Sequence, residues 1–532
     1  MDPTPDNDTL ASRLAYQPVE LKFGTSGRRG LLVHLTQLEI YLNSLAELEF
    51  LLSLPAADGG ITKGDPFFVA ADLRPSSTQY DPAHHGRGEI AQAILRAVHD
   101  AGMSPVYLGF IPTPALAAFA FSRGKGSIMV TGSHIPFDRN GYKTNTSRGE
   151  LLKHHEAPIA QSVARVRARL LAQPWSASPF DELGRFKSGA FALPPVNDDG
   201  RDAYLRRYTD FFPPDSLSGL SILFYQHSAV GRDLVPAILE SLGARVHRAG
   251  RSDAFVPIDT ENIDAPQLAA IQSLLDQSSA HGPFHAVIST DGDSDRPLIL
   301  GVDPNTSHVR FFPGDLAGIV TAQYLHAGAV VVPISCNDAI DLSALAPVLQ
   351  PKTRIGSPYV IAGMEQALAR GCRNVCGWEA NGGFLTGSPI ELDHRTLAPL
   401  PTRDAVLPIL AVLASAQRRP LHQLFDALPP RHSRAALLPN FPRSTALRIL
   451  ERLTADPALI PRFFTPELGF SSVAHTDSTD GLRITFLNGD VAHIRPSGNA
   501  DELRIYAVAD SPARAEAITA SGILRSLERA LA

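Results

Sequence analysis

The stretch richest in chemistry is Val130-Thr131-Gly132-Ser133-His134-Ile135-Pro136, continued by Phe137-Asp138-Arg139-Asn140-Gly141-Tyr142-Lys143. It gathers a hydroxyl, an imidazole and an ammonium into what reads as one turn-forming segment behind a short apolar run. A serine so placed can carry a phosphoryl group, act as a hydrolase nucleophile with His134 as base, or merely cap the next element. The hydrolase reading suffers because adjacent side chains rarely aim at each other and the glycines that flank a nucleophile elbow at two residues' distance are missing. His134 alone reads as a packed or hydrogen-bonded histidine. Lys143 alone reads as a surface lysine, although a site closed to water can lower a lysine's basicity enough to shuttle protons.

Asp291, Asp293 and Asp295 stand at alternate positions after an apolar run, and Arg296 follows them. They converge only if the backbone turns, which Gly292 makes easy, and clustered hard oxygens suit Mg²⁺. A calcium EF-hand is excluded, since its sixth-position glycine is Arg296 and its twelfth-position acid is Val302. An aspartyl-phosphate phosphatase using Asp291 and a solvated acidic turn stay open. Three further loops carry polar chemistry. Phe23-Gly24-Thr25-Ser26-Gly27-Arg28-Arg29-Gly30 offers close backbone approach and arginine forks suited to phosphate, or a tight turn with a solvated basic pair. Glu379-Ala380-Asn381-Gly382-Gly383 offers acceptors and an amide for sugar hydroxyls. Arg495-Pro496-Ser497-Gly498-Asn499 offers a fork, a hydroxyl and backbone amides, a phosphate cradle.

These groups need a scaffold, and the pattern predicts one. A chain of 532 residues is too long for one core, and 44% hydrophobic with 19% charged residues is a globular balance. A net charge of −6 argues against a general nucleic-acid binder and leaves any phosphate chemistry to a local site. The N-terminus has no secretion signal and no apolar stretch suits a membrane, so a cytoplasmic protein is expected. Cys336, Cys372 and Cys376 are too few for a disulfide framework and read as buried structural thiols rather than zinc ligands. Strands at 67–71, 105–108 and 127–130 alternate with helices at 35–54, 89–101 and 151–171, then 173–200 reads as a linker. The alternation restarts through 220–289 and again through 315–416. From about 419 it yields to closely spaced strands at 482–487, 491–494 and 503–508 with a terminal helix over 512–531. The expected fold is therefore α/β: three similar mixed α/β domains, 1–190, 191–305 and 306–418, and a smaller α+β domain, 419–532. Ligand loops belong at the strand ends.

Taken together and in this order, the five stretches resemble the α-D-phosphohexomutase family, phosphomannomutases and phosphoglucomutases, over nearly the whole chain from Phe23 to Tyr506. The resemblance implies four domains around a central cleft, with Ser133 as the phosphoserine. Asp291, Asp293 and Asp295 become Mg²⁺ ligands alongside its phosphate. It makes Arg29 and Lys143 the proton-transfer candidates, Arg296 a helper in phosphoryl transfer, and His134 a support for the phosphate. Glu379, Asn381 and Gly382 fall in the sugar loop; Arg495, Ser497, Gly498 and Asn499 in the phosphate loop. The implied reaction converts a hexose 6-phosphate and 1-phosphate into each other through a hexose 1,6-bisphosphate. The sequence departs from the family's Glu-x-Ser-Gly-His at Asn381 and Gly383, from its Gly-Thr-Glu-Pro at Asn499-Ala500-Asp501, and has Gly356-Ser357-Pro358-Tyr359 where some relatives carry a histidine or lysine after the glycine. These leave phosphoryl transfer intact and bear on sugar choice. The wording around Ser133 and Arg139-Asn140-Gly141 looks most like bacterial phosphomannomutase-type sequences. Phosphoglucomutase or dual activity comes next, then phosphoglucosamine mutase, a Mg²⁺-dependent sugar phosphatase, and a non-catalytic sugar-phosphate binder. Oligomeric state is not legible.

Overall fold

The structure is a computed structural model that describes residues 8–24, 27–84, 87–261, 263–417, 419–497 and 501–531. Among the described residues, no helix is long and apolar enough to cross a membrane.

Four larger sheets run through the chain. The first orders its strands Arg28–Leu31, Arg139–Asn145, Ser127–Val130, Pro66–Ala71, Ser104–Phe110. Its last three are parallel, and Arg139–Asn145 returns antiparallel to both Ser127–Val130 and Arg28–Leu31. The second sheet repeats the scheme: Arg245–Arg251, Ser221–His227 and Ala286–Thr290 are parallel, then Pro297–Val302 and Val309–Phe312 follow as the returning pair. The third is a shorter version, with Ala329–Val331 parallel to Val375–Trp378, then Phe384–Thr386 antiparallel and Leu400–Asp404 beyond it. The fourth, His432–Pro439, Glu502–Ala509, Val491–Pro496, Leu482–Phe486 and Val473–Asp477, is antiparallel throughout. The expected α/β class with a distinct α+β end is thus the observed one. In the first three sheets a parallel strand ends, a loop turns, and an antiparallel strand returns; those loops are 131–138, 291–296 and 379–383.

Two expectations are corrected. Lys143 is not in a turn, and Arg29 is not in a loop: both sit on strands, with Met129 opposite Lys143 and Gly141 opposite Arg29. Arg139–Asn145 looks like a turn because it is polar with a central glycine. It extends because both its neighbours offer ladder partners, and a Cβ at Gly141 would collide with the Arg28 carbonyl. Alternation then does the rest. Tyr142 and Thr144 face helix Gln37–Ser53, where the Thr144 hydroxyl donates to buried Glu47 at 2.5 Å and Arg28 Nε donates to the same carboxylate at 2.6 Å. Lys143 faces the other way. The helix packs on Ile90–Asp100 and Glu156–Leu171.

Smaller differences follow local chemistry. The terminal helix breaks at Gly522, in the left-handed region at φ 72°, into Pro512–Ala520 and Ile523–Leu531. Residues 403–404 belong to a strand, and the helix starts at Val406. Cys336 and Cys376 are buried, whereas Cys372 is only half-buried. The chain forms two compact units, one of Met1–Asp259, Gln267–Leu298 and Leu400–Val406, the other of Thr260–Pro266, Ile299–Pro399 and Leu407–Ala532.

Candidate active site

In the first unit, strand Ser127–Val130 delivers the chain to Thr131 and then to Ser133, which adopts a left-handed backbone at φ 52° although it is not glycine. Such a conformation needs outside support. The Ser133 amide donates to the Thr131 hydroxyl at 2.7 Å. Arg74, fully buried, donates to the carbonyls of Ser133 at 3.0 Å, Pro136 and Arg139 at 2.9 Å each, and also Ile135. The Phe255 ring covers its guanidinium at 3.7 Å. Asp72 completes the brace by accepting from the Gly132 amide at 3.2 Å. A Cβ on Gly132 would lie 2.6 Å from Arg74 Nε, so this approach requires glycine.

The Ser133 hydroxyl donates to Asp291 Oδ2 at 2.8 Å. The three alternate aspartates do converge, with one oxygen from each lying within 4.8 Å of the others, all buried. The loop folds on itself: Asp291 Oδ1 accepts from the amides of Asp295 at 3.1 Å and Arg296 at 3.2 Å. Ser294, left-handed at φ 57°, ties the loop to Thr290 Oγ1 at 2.8 Å and to the Gly231 amide at 2.9 Å. Asp293 Oδ2 accepts from Thr113 and Lys143, both at 2.7 Å, and Asp295 Oδ2 from Lys143 at 2.8 Å and Arg403 at 3.1 Å. Asp293 Oδ1 and Asp295 Oδ1 are buried without a hydrogen-bond partner. Three converging aspartates, two of which keep a buried oxygen without a partner, fit a hard divalent cation.

Charge decides the protonation states. Burial pushes Asp291 well above the usual carboxylate range, reinforced by the charges of Asp293 and Asp295. Burial would also raise Asp293, but the Lys143 ammonium outweighs it and holds that carboxyl below the usual range. The Arg296 guanidinium, followed by burial, pulls His134 down to about 2, so the imidazole is neutral. Arg296 Nη1 lies 3.1 Å from His134 Nδ1. A guanidinium can only donate, so Nδ1 is the acceptor there. Ser133 Oγ is 3.3 Å from that same nitrogen, whose lone pair Arg296 already engages. Arg29 is drawn down to about 10 by burial, against the opposing pull of Asp293, and its Nε is buried without a partner.

The structure therefore brings Ser133, His134, Lys143, Arg29, Asp291, Asp293, Asp295 and Arg296 together in one unit. It adds residues that motif reading passed over: Arg74 and Asp72, Thr113, and Arg403. Asp72 and Arg74 carried a signal, sitting directly after a buried strand. Arg403 carried none, because it arrives from a separate stretch of chain.

In the second unit, Glu379, Asn381 and Gly382 occupy the loop after Val375–Trp378, with Glu379 and Asn381 buried. Asn381 shapes it, its side-chain oxygen accepting from the Gly383 amide at 3.0 Å and its carbonyl from Thr260 Oγ1 at 3.2 Å. Arg495 is the penultimate residue of strand Val491–Pro496 and pairs with Asp480 at 3.3 Å. The Ser497 amide donates to the Glu502 carbonyl at 2.9 Å, and its own carbonyl accepts from Arg443 at 2.9 Å. Gly498 and Asn499 lie outside the described residues.

The chain is similar to known proteins over most of its length. Residues 20–169 match the phosphoglucomutase/phosphomannomutase alpha/beta/alpha domain I, and residues 447–521 the phosphoglucomutase/phosphomannomutase C-terminal domain. A phosphomannomutase of Sinorhizobium fredii is 39% identical over 510 residues, 94% of this chain and 98% of its own. One of Salmonella muenchen is 36% identical over 493 residues, 92% of each chain. The crystal structure of a phosphoglucomutase/phosphomannomutase family protein from Burkholderia thailandensis shares the fold, with TM-score 0.67 at 17% identity over 97% of this chain and 99% of that one.

Proposed function

The chain belongs to the α-D-phosphohexomutase family of phosphoglucomutases and phosphomannomutases, and we propose that it is a phosphomannomutase working through phospho-Ser133. The observation that carries this reading is the Ser133 hydroxyl held 2.8 Å from Asp291 inside a buried ring of three carboxylates and several cations. Phosphoryl transfer is mostly positioning and charge neutralisation, and that ring supplies both.

Phospho-Ser133 passes its phosphoryl group to a hydroxyl of a hexose monophosphate: the bond from phosphorus to Oγ breaks as the bond to the sugar oxygen forms. Lys143 or Arg29, in the neutral form left after giving its own proton to solvent, takes up the hydroxyl proton. The hexose 1,6-bisphosphate turns round, and its other phosphate returns to Ser133 while the proton goes back to the sugar oxygen. Arg296 and neutral His134 steady the phosphoryl oxygens from one side. Asp291, Asp293 and Asp295 would hold Mg²⁺, which when bound supplies positive charge to those oxygens. Glu379, Asn381 and Gly382 bind sugar hydroxyls. Arg495 and Ser497, with Gly498 and Asn499, hold the phosphate that is not reacting. Domains cut at 190, 305 and 418 would each contribute one of these four loops.

Mannose over glucose follows the two relatives, since the epimers differ at one hydroxyl. One neutral hydrogen bond contributes roughly 0.5–1.5 kcal/mol, about a tenfold preference at most. The test is kcat/KM measured side by side for mannose 1-phosphate, glucose 1-phosphate and glucosamine 1-phosphate, with Ser133→Ala as control. Mannose 1-phosphate should lead, and the variant should neither turn over nor gain the mass of a phosphate. Turnover by Ser133→Ala near the wild-type rate sinks the phosphoserine reading. A lead for glucose 1-phosphate sinks only the choice of sugar.

A further inference from the structure

Each aspartate of the 291–295 loop has at least one carboxylate oxygen occupied by protein donors. For Asp291 Oδ1 is taken by two backbone amides and Oδ2 by the Ser133 hydroxyl, a donor that phosphorylation of Ser133 removes. For Asp293 it is Oδ2, taken by Thr113 and Lys143. For Asp295 it is Oδ2, taken by Lys143 and by the Arg403 fork, whose Nε and Nη2 lie at 3.1 and 3.0 Å. The other oxygens of Asp293 and Asp295 accept no hydrogen bond; Arg296 Nε stands 3.6 Å from Asp295 Oδ1. Asp293 and Asp295 can therefore each present one oxygen to a cation and no more.

Arg403 comes from a segment 108 positions beyond Asp295 and is clamped on both sides. Thr402 donates to Glu150 at 2.6 Å, and Asp404 accepts from Tyr204 at 2.6 Å and from Tyr208. Arg403 is 3% exposed, so its fork has no freedom to leave. Lys143, by contrast, is needed at the substrate in the proposed mechanism.

We propose that Arg403 is a positioning residue that restricts Asp295 to one-oxygen coordination and thereby makes the site select Mg²⁺ over Ca²⁺. Mg²⁺ demands near-octahedral geometry with single oxygens at short range, whereas Ca²⁺ accepts more ligands and two-oxygen carboxylates. Freed from the fork, Asp295 Oδ2 keeps only the Lys143 ammonium, whose flexible stem can follow it, and the carboxylate can turn both oxygens inward, which helps the larger ion alone. Both ions carry the same charge, so losing the arginine's repulsion changes both affinities alike and cancels in their ratio. This inference rests on the reading of the three aspartates as a cation site.

The test is the ratio of Ca²⁺ to Mg²⁺ affinity, measured by calorimetry or by displacement of Mn²⁺ followed by electron paramagnetic resonance, on the full chain. Arg403→Met should raise the ratio about tenfold, and Arg403→Lys, which keeps the charge but loses the planar fork, should raise it too. Thermal melts identify any variant that fails to fold, and the lysine variant then decides. An unchanged ratio in a folded variant overturns the proposal and leaves the mutase reading standing. A wild-type protein that binds neither ion overturns both the proposal and the metal site, while mutase activity is judged by its own assay.

Discussion

Replacing Arg74 by methionine tests how the serine loop is held. The side chain donates to four main-chain carbonyls between Ser133 and Arg139 and stacks on Phe255. A hydrogen bond from a charged donor contributes roughly 1.5–3 kcal/mol, but four in one network do not add. The better guide is removal of one member of a buried charged network, about 3–5 kcal/mol. Against a total stability of about 5–15 kcal/mol, the variant should fold with a clearly lower urea midpoint. The larger effect falls on the reaction. Ser133 at φ 52° carries strain of about 1–3 kcal/mol, which the arginine holds in place. Released, the loop shifts, and a displacement of about 1 Å costs about 10²-fold in rate. Arg74→Lys should restore charge but little rate, since three donors on one point cannot reach four carbonyls. The assay is kcat with mannose 1-phosphate beside urea unfolding of the same preparations. A folded Arg74→Met whose kcat stays within threefold of wild type refutes the reasoning.

Lys143→Met should lower kcat by about 10²–10⁴-fold if the lysine amine takes up the sugar proton. It should also enlarge the rise in melting temperature on adding Mg²⁺, because the cation no longer competes with an ammonium; an unchanged rise would speak against a shared site. Chelation should abolish turnover and Mg²⁺ restore it, which a coupled phosphate-isomerase assay follows directly. His493, buried and donating to the Asp480 carbonyl, is pulled down from 6.5 to about 4, first by burial. Its folded value lies below its unfolded one, so its contribution is complete above pH 6.5 and is lost as pH falls toward 4. At 1.36 kcal/mol per pH unit this amounts to about 3 kcal/mol. His493→Gln should flatten urea midpoints measured between pH 7 and pH 4.5; an equally steep decline would show that other groups set the acid limit.

The serine and aspartate loops were legible because their chemistry is local. A glycine within each loop and an apolar strand before it can be read in a dozen positions. The strand Arg139–Asn145 was not legible, since its polar residues are neither core nor surface: Thr144 satisfies buried Glu47 while Lys143 satisfies Asp293 and Asp295. Helix Gln37–Ser53 was found by its apolar spacing, yet Glu39 and Glu47 on it are buried, paired to Arg167 and Arg28. Such pairings connect residues far apart in the chain, and no window of sequence contains both partners.

By itself the sequence supplied the candidate reactive groups, the α/β class with its antiparallel end, and the resemblance that pointed to the chemistry, because these follow from residue type, short-range spacing and turn propensity. Only the tertiary structure decided which oxygens of the aspartates are open, that Arg74 braces Ser133, and that Arg403 reaches Asp295. Those are matters of direction and distance between segments, fixed when buried charges must find partners and not before.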